Sequence, residues 1–391
     1  MYQLDSRKIQ PQDTFICLPG GESYIDDALK RGAKEVLTMT RKQLAGFADA
    51  LYGWPSRKLK VVGVTGTNGK TTVTQWVTEA LKSAGYHPYV LGTLNAPLTT
   101  PESLDVQRLM AEHLENGGTH FVMEVSSHAI AQLRIAHIQF AVKLLTNITQ
   151  DHLDYHGTFE AYKQTKLGFM QVGAASIYPE DFEKIEIPFP MPVSGAFNVK
   201  NMQATIAILD KLSIDSTGYL PCLAQIKAPS GRFESVESGQ SFKVFVDYAH
   251  TPDGLENVLK EARRLSQESN GRLITLFGCG GDRDRSKRPI MAEIASRLSD
   301  QVIVTSDNPR TESPSQIFED ILRGMSPESS YQLIEDRRAA IEAGMAMGMS
   351  GDVIVIAGKG HETYQLIQGK TLHFDDREEA RKALVALGYR E

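Results

Sequence analysis

The chain has 391 residues, of which 41% are hydrophobic and 23% charged, and its formal net charge is −6. This length exceeds what one compact core accommodates and fits two or three domains. The composition is that of an ordinary globular protein, and the negative charge gives no general attraction to nucleic acid. No apolar run approaches the ~18 residues of a membrane span, and the first eight residues contain no apolar signal segment. The three cysteines are far apart and form no metal-ligand spacing, so we expect a reduced, cytoplasmic protein without a nucleic-acid or membrane partner.

The first part of the chain reads as a small α/β module. Residues 14–18 have a strand pattern, a Pro-Gly-Gly turn follows, and residues 24–31 have a helical pattern. From residue 59 strands alternate with helices. Strands are predicted at 61–65, 89–91, 120–125 and 142–147, and helices at 71–83, 102–115 and 202–212. This alternation predicts a parallel sheet covered by helices.

A second alternating series begins after the linker-like residues 227–231. It has strands at 243–246, 273–277, 301–305, 331–334 and 353–357, with helices between them. The sequence therefore predicts an α/β protein of three domains: a small N-terminal domain at 1–58, a central domain at 59–229 and a C-terminal Rossmann-like domain at 230–391. Two large α/β domains in one chain suggest a cleft between them.

The segment Thr65-Gly66-Thr67-Asn68-Gly69-Lys70-Thr71-Thr72 links an apolar strand to a helix. A strand, a Gly-containing turn and a helix N-terminus in this order present backbone N–H groups and one ammonium to a polyphosphate, and a hydroxyl such as that of Thr71 can hold Mg²⁺. Val64 stands where the generic phosphate-loop pattern has glycine, so this loop is a narrower variant.

Two further segments follow strands of the same predicted sheet. Glu124 ends the strand at 120–125, where a carboxylate can meet the Mg²⁺ of a bound nucleotide. Residues 150–156 hold two Asp, two His and a Tyr, and His152 is either a metal ligand or a hydrogen-bonded structural histidine.

Four polar clusters follow four strands of the C-terminal series, at residues 247–252, 278–285, 306–310 and 358–362. Clusters after successive parallel strands converge on one edge of a sheet. Arginine forks suit carboxylates or phosphates and acidic side chains suit an amine, which together fit a zwitterionic amino acid.

The motifs TGTNGKTT, MEVSSHAI, TNITQDHLDYH, FNVKN, DYAHTPD, GCGGDRDRSKRP, DNPR and GKGHE occur in this order. Their set resembles the Mur ligases, most closely the type that adds meso-diaminopimelate to UDP-N-acetylmuramoyl-L-alanyl-D-glutamate in peptidoglycan precursor synthesis. The resemblance implies an ATP- and Mg²⁺-dependent ligase in which the acceptor carboxylate forms an acyl phosphate and the amine of the amino acid displaces phosphate. A monomer is expected.

The resemblance also implies roles for individual residues. Catalytic roles fall on Lys70, Glu124, His152 and a carbamylated Lys166, and metal binding on Thr71, Glu124, His152 and Lys166. ATP binding falls on Gly66, Thr67, Asn68, Gly69, Lys70, Thr71, Thr72, Asn198, Asn201, Arg232, Asp247 and His250. Without the resemblance, Lys166 reads as a solvated helix residue.

The two substrates are assigned in the same way. The resemblance places the UDP-linked acceptor on Leu4, Ser6, Thr99, Thr100, Ser126, Gln132 and Arg134. It places the amino acid on Arg283, Asp307, Asn308, Arg310, Gly358 and Glu362. Arg310 is the most specific of these, because a guanidinium fork suits the distal carboxylate of diaminopimelate and repels the ammonium of lysine.

Two departures from the family pattern leave alternatives open. The Leu-Asp-Ser-Arg segment begins at Leu4, where the family has a longer N-terminal module, and the stretch between Lys166 and Asn198 is short. Peripheral strands of the central domain are therefore expected to be missing. One alternative is the same chemistry on a smaller or non-UDP carboxylate acceptor, and the other is a nucleotide-binding partner without turnover.

Overall fold

The computed structural model describes residues 1–390. Its N-terminal unit is a three-stranded parallel sheet in the order β1-β2-β3, formed by Tyr2–Gln3, Thr14–Cys17 and Glu35–Thr38. Two helices, α1 at Ile25–Lys30 and α2 at Arg41–Leu51, accompany it. Thr40 begins α2 with a capping box that it shares with Gln43. The unit's buried core is small, as expected for so few residues.

The central unit is a five-stranded parallel sheet in the order β5-β6-β4-β7-β8. Its strands are β4 at Lys60–Thr65, β5 at Pro88–Leu91, β6 at His120–Glu124, β7 at Phe140–Leu145 and β8 at Ala175–Ile177. The helices are α3 at Lys70–Ser83, α4 at Ser103–Glu115, α5 at Ser127–Ala131, α6 at Leu153–His156, α7 at Phe159–Gln171, α8 at Pro179–Phe182, α9 at Ala196–Lys211 and α10 at Ser216–Leu223. Strand β4 lies between β6 and β7, so the loop after it sits where ligands bind in open α/β sheets.

The C-terminal unit is a six-stranded sheet in the order β13-β12-β11-β14-β10-β9. Its strands are β9 at Glu234–Ser235, β10 at Lys243–Asp247, β11 at Leu273–Phe277, β12 at Gln301–Val304, β13 at Tyr331–Leu333 and β14 at Val353–Ala357. The helices are α11 at Pro252–Glu268, α12 at Lys287–Leu298, α13 at Pro314–Leu322, α14 at Arg337–Met347 and α15 at Asp376–Ala386. Strands β15 at Tyr364–Ile367 and β16 at Lys370–His373 form a separate hairpin.

The predicted α/β class and its three units are confirmed by these sheets, and β9 is the strand of the C-terminal sheet that pairs antiparallel. Some predicted bounds were wrong. The helix predicted at 202–212 begins at Ala196, directly after Gly195, whose φ of 104° is not helical. The sequence patterns also gave no prediction for α2, α15 or the β15–β16 hairpin. In residues 1–390 no helix is long and apolar enough to cross a membrane.

Candidate functional site

The loop from Gly66 to Gly69 connects the buried strand β4 to α3. Gly66 has a φ of 143°, and a Cβ there would lie 1.8 Å from the Thr146 hydroxyl, so no larger residue fits. The Lys70 ammonium donates to the carbonyls of Gly66 and Thr67, both at 2.9 Å, and burial lowers the pKa of this ammonium. Together with the N-terminus of α3, the loop forms a site suited to phosphates.

Glu124, at the end of β6, is almost completely buried beside this loop. Its Oε1 accepts hydrogen bonds from the Thr71 hydroxyl at 3.0 Å and from the Thr93 backbone N–H at 2.9 Å. Its Oε2 accepts from the Thr93 hydroxyl at 3.1 Å. The carboxylate is therefore held rigidly against the first turn of α3, where an oxygen ligand for Mg²⁺ belongs.

Lys166 lies on α7 and is buried, so its reading as a solvated residue was wrong. Its Nζ donates to the Gly66 carbonyl at 2.9 Å and lies 4.9 Å from the centre of the Tyr162 ring. Burial, with a smaller contribution from Lys70, lowers the pKa of this amine well below its ordinary value. The tertiary fold thus places Lys166 directly behind the phosphate loop, where burial favours the uncharged form of its amine.

His152 follows β7 and has a left-handed backbone with a φ of 56°. Its Nε2 lies 3.3 Å from the Asp151 carboxylate, and burial lowers the pKa of His152 to about 3. The imidazole is neutral at pH 7 and so has a ring nitrogen available as a ligand. Within residues 1–390, however, no group of three or more His, Cys, Asp or Glu side chains forms a complete metal site.

The C-terminal unit closes one side of the site. Arg232 donates from Nη2 to the Thr71 hydroxyl at 2.9 Å, and its guanidinium lies 4.5 Å from the centre of the Tyr248 ring. Asn68, in the phosphate loop, donates to Asp253 of α11 at 2.7 Å. The two large units are therefore joined by hydrogen bonds at the phosphate loop.

Asp247 lies at the end of β10, where its two oxygens accept hydrogen bonds from the N–H groups of Phe233 at 2.6 Å and Ala249 at 2.7 Å. Burial raises the pKa of this carboxyl to about 6.

Asn198 and Asn201 face each other one turn apart on α9, with Nδ2 of Asn201 3.3 Å from Oδ1 of Asn198. The earlier start of α9 is what places both amides on the same helix.

A cavity of about 590 Å³ lies between the central and C-terminal units. Its lining includes the predicted ATP- and metal-site residues Gly66, Thr67, Asn68, Gly69, Lys70, Thr71, Thr72, Glu124, His152, Lys166, Asn201, Arg232, Asp247 and His250. Asn198 is not part of this lining, but its side chain contacts that of Asn201, which is.

The residues assigned to the acceptor fall into two places. Thr99 and Ser126 line the cavity, and Thr100 donates to the Glu124 carbonyl at 2.9 Å. Arg134 donates to the Thr100 carbonyl at 2.8 Å and to the side chain of Gln132 at 2.6 Å. These five side chains therefore form one group next to Glu124.

Leu4 and Ser6 are separate from this group. Leu4 packs against the small core of the N-terminal unit, and Ser6 is buried in a short 3₁₀ helix. Neither residue is part of the cavity lining. The structure thus places the partly buried Leu4 and the buried Ser6 in the N-terminal unit, outside the cavity lining.

The residues assigned to the amino acid are brought together after β12 and β14. Asn308 donates from Nδ2 to Glu362 at 2.8 Å, and a Cβ on Gly358 would lie 2.6 Å from an oxygen of Asp307. Arg310 has a φ of 55° and donates from Nη1 to the Gly281 carbonyl at 2.7 Å. Arg283 is exposed on the loop after β11. The set carries two carboxylates beside two guanidinium groups.

The sequence reasoning assigned no role to several residues of the site. Thr93 holds both oxygens of Glu124, and Tyr162 donates to or accepts from Thr67 at 2.8 Å. Tyr162 could have been found, because it lies four residues before Lys166 on one helix face. Lys359 lies within a quoted motif, yet its buried contacts depend on the tertiary fold.

Sequence comparisons agree with this arrangement. The profile of the Mur ligase middle domain matches residues 64–181, and that of the Mur ligase glutamate ligase domain matches residues 231–360. A protein of Syntrophomonas wolfei named UDP-N-acetylmuramoyl-L-alanyl-D-glutamate–2,6-diaminopimelate ligase is 39% identical over 97% of this chain and 93% of its own length. A Geobacillus kaustophilus protein of the same name is 36% identical over 99% of this chain and 95% of its own length.

The alignment with the S. wolfei protein also shows a difference in size. Its 459 positions include 97% of the 391 residues, about 379, so about 80 positions of that relative have no counterpart here. The shortening expected from the sequence is consistent with this difference.

Solved structures show the same fold. A structure of a UDP-N-acetylmuramoyl-L-alanyl-D-glutamate–2,6-diaminopimelate ligase is 29% identical, with a TM-score of 0.59 over 99% of this chain and 95% of its own. A MurF ligase from Thermotoga maritima in complex with ADP is 17% identical, with a TM-score of 0.64 over 92% of this chain and 94% of its own. The two domain profiles and the near full-length relatives establish that the chain belongs to the Mur ligase family.

Proposed function

We propose that the chain is an ATP-dependent ligase that joins meso-diaminopimelate to UDP-N-acetylmuramoyl-L-alanyl-D-glutamate. The observation that carries the proposal is the hydrogen-bonded series from Arg232 through Thr71 to Glu124, which connects the two large units at the phosphate loop. This arrangement suits a reaction in which a phosphoryl group passes from a nucleotide to an acceptor that is bound in the cleft between the two domains. The names of the 36–39% identical relatives support the choice of substrates.

The proposed reaction has two steps. An oxygen of the acceptor carboxylate attacks the γ-phosphorus of ATP, the bond to the ADP oxygen breaks, and an acyl phosphate forms. The amine of the incoming amino acid, having lost a proton, then attacks the acyl carbon, and phosphate leaves as the amide forms. Lys70 and the N–H groups of the phosphate loop neutralise charge on the phosphates throughout.

The residues present fit Mg²⁺. Glu124 and Thr71 offer a carboxylate and a hydroxyl 3.0 Å apart, and oxygen ligands of this kind are the ones that Mg²⁺ prefers. Mg²⁺ usually takes one or two protein carboxylates and completes its shell with phosphates and water, which agrees with the absence of a three-residue cluster in residues 1–390. When bound, Mg²⁺ would supply charge neutralisation at the transferred phosphoryl group.

Lys166 supports the same assignment. Burial lowers the pKa of the Lys166 amine, which favours its neutral form, and a neutral amine can add CO₂ to form a carbamate. A carbamate is an anionic oxygen ligand, whereas an ammonium in this position would add to the positive charge of Lys70. We propose that Lys166 is carbamylated and, with His152, holds a second Mg²⁺.

The choice of amino acid is attributed to the cluster after β12 and β14. The substrate carries an ammonium and a carboxylate at its distal end. Arg310 and Arg283 are suited to the carboxylate, and Asp307 and Glu362 to the ammonium. Lysine lacks the distal carboxylate, so it would leave Arg310 unpaired.

A second candidate is the same chemistry on a smaller carboxylate acceptor. Two observations favour it: Leu4 and Ser6 pack away from the cavity, and about 80 positions of the S. wolfei relative have no counterpart here. Such an acceptor would need only the group around Thr100 and Arg134.

The two candidates are separated by an acceptor screen with ATP, Mg²⁺ and diaminopimelate, in which product mass and phosphate release are measured. Ligation of UDP-N-acetylmuramoyl-L-alanyl-D-glutamate supports the first candidate, and ligation only of acceptors without UDP supports the second. Lys70→Ala should abolish either reaction, because the developing charge on the phosphates loses its ammonium. ATP turnover without product for every acceptor would contradict both.

A further inference from the structure

Lys359 is a completely buried lysine in the loop after β14. Its Nζ donates to the Asn308 side-chain oxygen at 3.2 Å, to Oε2 of Glu362 at 3.0 Å and to the Tyr364 carbonyl. All three ammonium hydrogens therefore have acceptors, two of which belong to the proposed amino-acid site. A buried lysine without such partners would be expected to lose its charge.

These contacts determine which way the Asn308 amide faces. Its Oδ1 also accepts from the Leu366 backbone N–H at 2.9 Å. Because an ammonium and a backbone N–H can only donate, the amide oxygen must face them, and the amide nitrogen then points to Oε2 of Glu362 at 2.8 Å. Oε2 thus accepts two hydrogen bonds within the protein, and Oε1 is the oxygen left for a ligand.

The charges support the same role. Glu362 stands close to the buried carboxylate of Asp307, and burial together with that neighbour raises the pKa of Glu362, whereas Lys359 opposes this shift. Two nearby carboxylates in a poorly solvated site tend to share a proton unless a cation compensates. Lys359 supplies such a cation next to Glu362, so that both carboxylates can stay ionised for the substrate's distal ammonium.

We propose that Lys359 is a positioning residue for the incoming amino acid: it keeps Glu362 ionised and oriented, with Oε1 free to accept the distal ammonium of the substrate. The inference rests on the proposed function, because it takes the diamino acid as the ligand of this cluster. Lys359 touches no reacting atom, so its effect is expected in amino-acid binding and selectivity.

The first test is Lys359→Met, which keeps the length of the side chain and removes its charge. The KM for diaminopimelate should rise about tenfold or more, while the KM for ATP and kcat at saturating amino acid change by less than about threefold. Lys359→Gln, which retains one hydrogen-bond donor, is the second variant and should show the same split. Lys370→Met removes an exposed lysine from β16, in the hairpin that follows this loop, and serves as the matched control, with no change expected.

The second test shows whether Lys359 acts through Glu362. Glu362→Gln and the double variant Lys359→Met/Glu362→Gln are compared by the KM for diaminopimelate. If Lys359 works by keeping Glu362 charged and oriented, its loss should add less than about twofold once Glu362 is already neutral. A further tenfold rise in the double variant would overturn the proposal, and if Lys359→Met does not fold, the same comparison is made with Lys359→Gln and Lys359→Gln/Glu362→Gln.

The failures of the two proposals are distinguishable. A wild-type protein that ligates diaminopimelate, together with an unchanged KM in Lys359→Met and Lys359→Gln, overturns the role of Lys359 and leaves the proposed function intact. A wild-type protein that ligates no diaminopimelate to any acceptor overturns the proposed function itself, and with it this inference.

Discussion

Gly92, directly after β5, offers a way to displace Glu124 without touching it. A Cβ at Gly92 would lie 2.3 Å from Oε1 of Glu124 and 2.8 Å from its carboxyl carbon. Gly92 is not among the glycines with positive φ, so alanine can adopt this backbone without strain. The three atoms nearest to that Cβ all belong to Glu124, so the clash of Gly92→Ala falls first on this side chain.

The size of the effect follows from the contact distances. Carbon and oxygen atoms approach to about 3.4 Å, so the carboxylate must move by about 1 Å. Such a shift disrupts hydrogen bonds from Thr71 and Thr93, and losing one bond to a charged group costs about 1.5–3 kcal/mol of folding free energy. A misplacement of about 1 Å at a reacting centre lowers kcat on the order of 100-fold.

The assay is ATP-dependent ligation under saturating substrates, with thermal unfolding measured in parallel. Gly168→Ala is the matched control: Gly168 lies on α7, and its Cβ would meet nothing within 4 Å. This control should keep full activity and gain about 0.5–1 kcal/mol, since alanine favours a helix over glycine. If Gly92→Ala retained kcat within about threefold of wild type, Glu124 would not be the metal-side carboxylate.

Three further outcomes are expected. Lys166→Ala should lower the rate of ligation at least about 100-fold, and a small carboxylate such as acetate should restore part of that rate by replacing the anionic oxygen. Mass spectrometry that shows unmodified Lys166 in active protein would contradict the proposed carbamylation. Arg310→Ala should lower the preference for diaminopimelate over lysine by roughly 100-fold, at the low end of the range for a broken ion pair because Arg310 is half-buried. This preference is measured by competition of the two amino acids at equal concentration in wild type and variant. A variant that keeps the full wild-type preference would show that Arg310 does not bind the distal carboxylate. Burial lowers the pKa of His120 from 6.5 to about 4, so below pH 6.5 the unfolded chain takes up a proton that the native chain does not. His120 should therefore contribute a fall of about 3 kcal/mol in the free energy of unfolding between pH 6.5 and pH 4, and denaturant titrations should show a correspondingly smaller fall in His120→Gln.

The α/β class, the strand–helix order and the phosphate loop could be predicted from the sequence alone. These features depend on local patterns: the apolar run before Gly66, the glycines that the turn requires, and the polar clusters after strands. The resemblance to the family then named many of the cavity-lining residues in advance, because each motif keeps its residues at fixed spacing around one strand end.

Only the tertiary structure decided how side chains from distant segments meet. Lys166 has the surroundings of an exposed residue in its own helix, and it is buried because α7 packs across the loop at Gly66, 100 residues earlier. Leu4 and Ser6 matched a motif, but Leu4 packs against the small core of the N-terminal unit and Ser6 is buried in a short 3₁₀ helix. Lys359 meets Asn308 across 51 residues, a contact that no local pattern encodes. Burial and charge pairing are properties of the packed chain, and they set which of the named residues are charged, oriented and within reach of a ligand.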